Sequence, residues 1–208
     1  MKRLEKALSR GKVLVTYLCV GDPSVEESVE LARACVKAGA DVLELGVPFS
    51  DPTADGPAIA RASQRAIAQG GGLEATLRAA RAHGLGVVPL LAPTSSAERV
   101  AAVRESASRG GTPFVYYVSV TGVTGAGAVD ARGAGDRAAS LRAELGLPVV
   151  VGFGIDSREK ARAAAAKSDG AVVGTALVRL IEDGKTAAER RGAVDKLVRE
   201  LRAGVDEA

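Results

Sequence analysis

Six short apolar runs, each followed by residues with helical spacing, leave this chain few folds to choose from. They are Lys12 to Val20 (KVLVTYLCV), the Val42 to Val47 run, Gly86 to Ala92 (GVVPLLA), Pro113 to Val120 (PFVYYVSV), Val149 to Val151 and Ala171 to Val173. The runs are rich in β-branched residues, and most lack the polar alternation of a strand with one wet face. Strands of this kind are buried on both faces. Alternation with helices then implies a parallel sheet covered by helices.

The expected class is α/β, a parallel (β/α) barrel of the TIM type. A closed eight-stranded barrel takes ~250 residues, and this chain has 208. The expectation is therefore a barrel-like single domain over 1–208, shortened to about six βα units.

Helix signals fill the intervals. Ser24 with Glu27, Ser95 with Glu98 and Asp156 with Glu159 have capping-box spacing, in which each partner satisfies a backbone N–H of the other. The first box opens a helix with apolar residues at Val25, Val29, Ala32 and Val36 that stops before Gly39. Further helices are expected over about Ala58 to Gln69, Leu73 to His83, from Ser95 to about Ser108, and near Asp136 to Leu145. The last helix carries a core stripe of Val194, Leu197, Val198, Leu201 and Val205. Pro89 belongs at the start of its strand or on an edge, because it has no N–H to donate.

Composition narrows the class. Hydrophobic residues make up 47% of the chain, enough for a sizeable core. The net charge of +3 comes from Lys/Arg interleaved with Asp/Glu, a pattern of solvated helix faces and not of nucleic-acid binding. No apolar run is long enough to span a bilayer. MKRLEKALSRGK at the N-terminus reads as a short leading helix of a cytoplasmic protein. Cys19 and Cys35 have neither metal nor redox spacing, and lone thiols suit a reducing compartment. No metal or cofactor is implied, since nothing clusters as ligands.

The chemistry concentrates in Asp41 to Pro57 (DVLELGVPFSDPTADGP). Glu44 lies inside an apolar strand, where a carboxylate is costly unless it is paired, hydrogen-bonded or used. Asp51 and Asp55 follow on the loop, where Asp-Pro and Asp-Gly also serve simply as turn formers. Glu44 and Asp55 are the candidate acid/base pair. Gly125, Gly154 and Gly174 each follow an apolar strand, the last two directly before helix starts. Such turns either punctuate βα units or let a phosphate approach free backbone N–H groups at a helix N-terminus. Among the six aromatic residues, Tyr17, Phe49, Tyr116 and Phe153 are ligand-facing candidates, with Phe114 and Tyr117 less favoured. His83 reads as a helix C-terminal residue beside Gly84.

These residues resemble a family. ELGVPFSDPTADGP (Glu44 to Pro57) is similar to the signature of tryptophan synthase α subunits. YLCVGDP (Tyr17 to Pro23), LLAPTSSAER (Leu90 to Arg99), FVYYVSVTGVTGA (Phe114 to Ala126), GFGI (Gly152 to Ile155) and GTALV (Gly174 to Val178) resemble the same family in the same order. The resemblance implies a (β/α)8 barrel that cleaves indole-3-glycerol phosphate to indole and glyceraldehyde 3-phosphate. It also implies a β-subunit partner in an α2β2-type complex. Glu44 would be the general acid/base and Asp55 would hold the indole N–H. Tyr17, Phe49, Tyr116, Thr124 and Phe153 would contact substrate. Gly125, Gly154, Gly174 and Thr175 would bind its phosphate.

Between the Glu44 unit and LLAPTSS, stretches resembling LMTYYNP and VPDLPP are absent, as if two βα units had been removed and QGGGLEATLRAARAHGLG joined the ends. Two functions follow as expectations: the lyase itself, or a non-catalytic α-like module that binds a β subunit or a phosphorylated ligand.

Overall fold

The computed structural model describes residues 2–48, 56–70, 88–93, 95–108, 113–118, 131–152 and 154–208. Helix α1 (Lys2–Leu8) leads into β1 (Val13–Cys19), α2 (Val25–Ala38), β2 (Val42–Gly46) and α3 (Pro57–Ala68). Then come β3 (Leu90–Leu91), α4 (Ala97–Ser108), β4 (Val115–Val118), α5 (Ala131–Leu145) and β5 (Val149–Gly152). The chain continues through α6 (Arg158–Ala166), β6 (Gly170–Val173), α7 (Thr175–Asp183) and α8 (Ala187–Asp206). The expected helix at Leu73 to His83, with His83 itself, lies outside the described residues. Among the described residues no helix is long and apolar enough to cross a membrane.

The strands form one parallel sheet in the order β2-β1-β6-β5-β4-β3. The last strand thus pairs with the first, as in a barrel: Val15 faces Val42 of β2 on one side and Val172 of β6 on the other. Among the described residues the sheet is a curled half-barrel whose two edges are β2 and β3. Those edges flank the place in the chain where the two βα units are missing. Pro89 immediately precedes β3, and its carbonyl accepts from the Tyr116 N–H at 3.1 Å, so it sits at a strand start on an edge.

Alternate residues of β1 serve two cores. Val13 and Val15 point inward with Val42, Phe114, Val150 and Val172, and Leu4, Ala7 and Leu8 of α1 pack against this interior. Leu14 and Leu18 point outward to Leu31 and Cys35 of α2, Leu177 and Ile181 of α7, and Val194, Val198 and Leu201 of α8. A second outer cluster joins Leu91, Val115, Tyr117, Val149 and Val151 to Val100 and Val103 of α4 and to Ala138, Leu141 and Leu145 of α5. Phe114 and Tyr117 are thus core residues. Burying each Val or Leu of the α8 stripe contributes roughly 1.5–3 kcal/mol. Gly204 lets α8 approach α6 closely, because a methyl group there would overlap the Arg158 carbonyl.

Several local expectations shift. The buried face of α2 is Ser28, Leu31, Cys35 and Ala38, while Val25, Val29 and Val36 are 49%, 45% and 55% exposed. Both faces have helical spacing, and contact with Leu14, Leu18 and α8 selects the first. Ser24 caps α2 by accepting from the Glu27 N–H at 3.1 Å. The Glu27 carboxylate does not close the box, because it is forked to Arg190 of α8, with Nη2 donating at 2.9 Å. The other two caps move one residue along. Ser96 accepts from the Arg99 N–H and Ser157 from the Lys160 N–H, while Asp156 pairs with the Lys160 ammonium instead.

Strand β2 also differs. It is not buried on both faces: Leu43 and Glu44 are half-buried and Leu45 is exposed. Its outer neighbour would come from the missing units, so no strand covers that edge among the described residues.

Candidate active site

Parallel register places the first candidates. Val15 and Val42 are paired and both lie in the interior core, so Tyr17 and Glu44, paired two residues further on, face the same interior. Tyr116, paired with Val150, borders the same core from the far side. Glu44, Tyr17 and Tyr116 thus converge toward the C-terminal ends of the strands. That is the end of a βα-barrel where active sites form.

Glycines shape this rim. The Tyr17 ring lies across Gly46 at the end of β2, and the Tyr116 ring lies across Gly152 at the end of β5, so closely that a methyl on either glycine would overlap the phenol. A methyl on Gly174 would meet the Tyr17 Cβ at 3.5 Å. Tyr17 therefore bridges the Glu44 strand and the turn after β6.

That turn leaves the start of α7 without a side-chain cap: Gly174 is the N-cap, and Thr175 is the first helical residue. The first N–H groups of a helix lack intrahelical partners and carry the positive end of its dipole. Gly154 has φ +48, a left-handed conformation that glycine adopts without strain. It does not directly precede a helix as the sequence suggests, because Ser157 caps α6 three residues on. Asp51, Asp55, Phe49, Thr124, Gly125 and Phe153 lie outside the described residues.

The sequence reading missed a charged lattice beside this rim. Asp22, only 2% exposed, follows β1 and both of its carboxylate oxygens accept from one edge of the Arg65 guanidinium, at 2.7 and 2.9 Å. Arg65 also donates to Glu182 of α7 at 2.8 Å, and Arg61 forks the same carboxylate at 2.6 and 2.7 Å. Hydrogen bonds from Arg61 and then Arg65, against the cost of burial, hold the Glu182 carboxyl down at about 2. The signal in the sequence was the i, i+4 arginine pair on a helix that starts at the carboxylate loop. Among the described residues no His, Cys, Asp and Glu cluster could hold a metal ion.

The chain matches the family model for the tryptophan synthase alpha chain over residues 4–82 and 74–206. It belongs to the tryptophan synthase alpha chain family. The two matched stretches overlap at 74–82, the junction where the βα units are missing. The alpha chain of Dechloromonas aromatica is 36% identical over 271 residues, covering 100% of this chain and 99% of that relative. Because this chain has 208 residues, that relative carries an internal block with no counterpart here. The alpha chain of Opitutus terrae is 36% identical over 252 residues, covering 91% of this chain and 93% of its own.

Solved structures agree. Tryptophan synthase subunit alpha from Legionella pneumophila str. Paris superposes with a TM-score of 0.83 at 29% identity, covering 100% of both chains. Tryptophan synthase from M. tuberculosis in its aminoacrylate-bound form gives 0.76 at 28% identity, covering 98% of this chain and 99% of that one. The shortened (β/α) barrel is thus a tryptophan synthase alpha fold, and its class is a carbon–carbon lyase of tryptophan biosynthesis.

Proposed function

We propose that Glu44 and Asp55 carry the alpha reaction in this chain, the cleavage of indole-3-glycerol phosphate to indole and glyceraldehyde 3-phosphate. The reaction comes with the family, and the residues that perform it here are the proposal. The observation that carries it is the register of Glu44 with Tyr17. It places a half-buried carboxylate on the interior face, one tyrosine away from the α7 N-terminus.

The chemistry is a retro-aldol step. Protonation of indole C3 turns the ring into a cation, and Asp55 accepts a hydrogen bond from its N–H and stabilises the charge. Glu44 delivers that proton and its carboxylate then takes the proton of the glycerol hydroxyl. The C–C bond breaks, the hydroxyl carbon becomes the aldehyde, and the electron pair returns to the ring as indole. The α7 N-terminus at Gly174 and Thr175, with Gly154 and Gly125, takes the phosphate. Tyr17, Phe49, Tyr116, Thr124 and Phe153 bound the indole and glycerol.

The test is indole release at high protein concentration, with Asp55→Asn and Glu44→Gln in parallel. Each variant is expected to lose about 10²–10⁴-fold in kcat, the usual worth of a positioned acid or base. Equal rates in wild type and variants would sink the assignment.

A second reading, a non-catalytic module that engages a β subunit, is favoured by one observation. Leu90 is paired with Tyr116, so it faces the interior, yet it is exposed on the open edge. Water entering there weakens every electrostatic interaction in the site. Capture of a tryptophan synthase β subunit by a cooperatively folded chain that releases no indole would establish this reading instead.

A further inference from the structure

We propose that Arg65 is a positioning residue for the reaction: through Glu182 and Asp22 it fixes α3, the helix that begins two residues after Asp55, relative to α7. The inference rests on the reading that α7 takes the phosphate and that Asp55 acts on the indole.

Each of the two functional segments leads into one of these helices. Asp55 lies two residues before Pro57, where α3 begins. Gly174 and Thr175 open α7, and Glu182 lies near its far end. Arg61 and Arg65 are one helical turn apart on α3, and both close on Glu182. Arg65 turns its other edge to Asp22, in the segment after β1 that includes Gly21. A methyl on Gly21 would touch the Ala66 Cβ at 3.5 Å, so this segment and α3 are already in close contact. An apolar cluster of Cys19, Ala58, Ile59, Ala62, Ala66 and Val178, with Tyr17 against it, lies between the same elements.

Apolar contact alone lets two helices slide, whereas planar guanidinium forks on carboxylates fix distance and orientation together. Arg65 holds three elements at once: the segment that follows the Tyr17 strand, the helix that follows the carboxylate loop, and the helix that receives the phosphate. Displacing a reacting group by an ångström costs about 10²-fold in rate. A lysine at position 65 keeps the charge but reaches only one carboxylate at a time.

Amide hydrogen exchange in the full chain, with and without saturating inorganic phosphate, tests the coupling apart from turnover. Phosphate should slow exchange at the start of α7 and, through Glu182, at residues 60–68 of α3. In Arg65→Lys the α7 effect should persist and the α3 effect should weaken, because the Arg61 fork on Glu182 stays in place. Glu182→Ala, which releases both arginines from α7 and leaves the Asp22–Arg65 fork intact, should abolish the α3 effect. In indole release, both variants should lose about tenfold or more in kcat while the phosphate dissociation constant stays within about twofold. Phosphate-slowed exchange in α3 that survives in both variants, or an unchanged kcat, overturns the proposal. Phosphate that slows neither helix overturns the phosphate site itself, and the positioning role with it.

Discussion

The Tyr17 ring lies across Gly46, the last residue of the neighbouring strand, so closely that no side chain fits beneath it. Tyr116 repeats the arrangement over Gly152. In both pairs the glycine lies two residues past the tyrosine's register partner, Glu44 in one case and Val150 in the other. Gly46→Ala should therefore swing the phenol off its strand without disrupting the core. The expected result is a stability loss of about 1–3 kcal/mol in denaturant titration, with a several-fold rise in KM. Unchanged KM would place the Tyr17 ring outside the substrate pocket.

The orientation of α2 yields a paired comparison. Leu31 is fully buried against the sheet and α8, whereas Val29 is exposed. Leu31→Ala is expected to cost about 2–5 kcal/mol. Val29→Ser should stay within about 0.5 kcal/mol of wild type. Chemical denaturation measures both, and a large loss at Val29 would mean that its face is covered in solution.

Glu182 makes stability depend on acid. Its carboxyl is held at about 2, against 4.5 in an unfolded chain. Between those values the folded state binds fewer protons, so stability rises with pH there. The contribution is complete above about 4.5 and is lost as pH falls toward 2. Thermal melts across this range should show a steeper acid decline in wild type than in Glu182→Gln. Parallel curves would show that the arginine forks do not persist in solution.

Cys35 acts at the other end of the scale. Burial pushes its thiol up to about 11 from 9.0, against a smaller opposing hydrogen bond with Thr16. Between those values the unfolded chain loses the proton first, so stability falls as pH rises through them. Cys35→Ala should flatten that alkaline decline. In the native protein near neutral pH, thiol reagents should label Cys35 only as fast as the chain opens, because it is buried.

Periodicity and composition sufficed for the architecture. Six apolar runs separated by helical segments specify a parallel sheet under helices, and the α8 stripe of Val194, Val198, Leu201 and Val205 is buried as its spacing requires. The short count of strands was also legible, because a missing βα unit removes a whole apolar run. Glu44 stood out as a lone carboxylate in such a run, and Gly174 as a glycine at a helix start.

Only the tertiary structure decided which surfaces met. Spacing alone cannot choose between two faces of α2 that are both helical, and packing against Leu14, Leu18 and α8 made that choice. It cannot show that β2 is an edge among the described residues, because edge status depends on which strand lies alongside. Nor does it link Asp22, Arg65 and Glu182, whose positions are far apart in the chain and whose attraction acts only once the sheet has brought them together. Local propensity acts over a few residues, and register and charge pairing act across the whole fold.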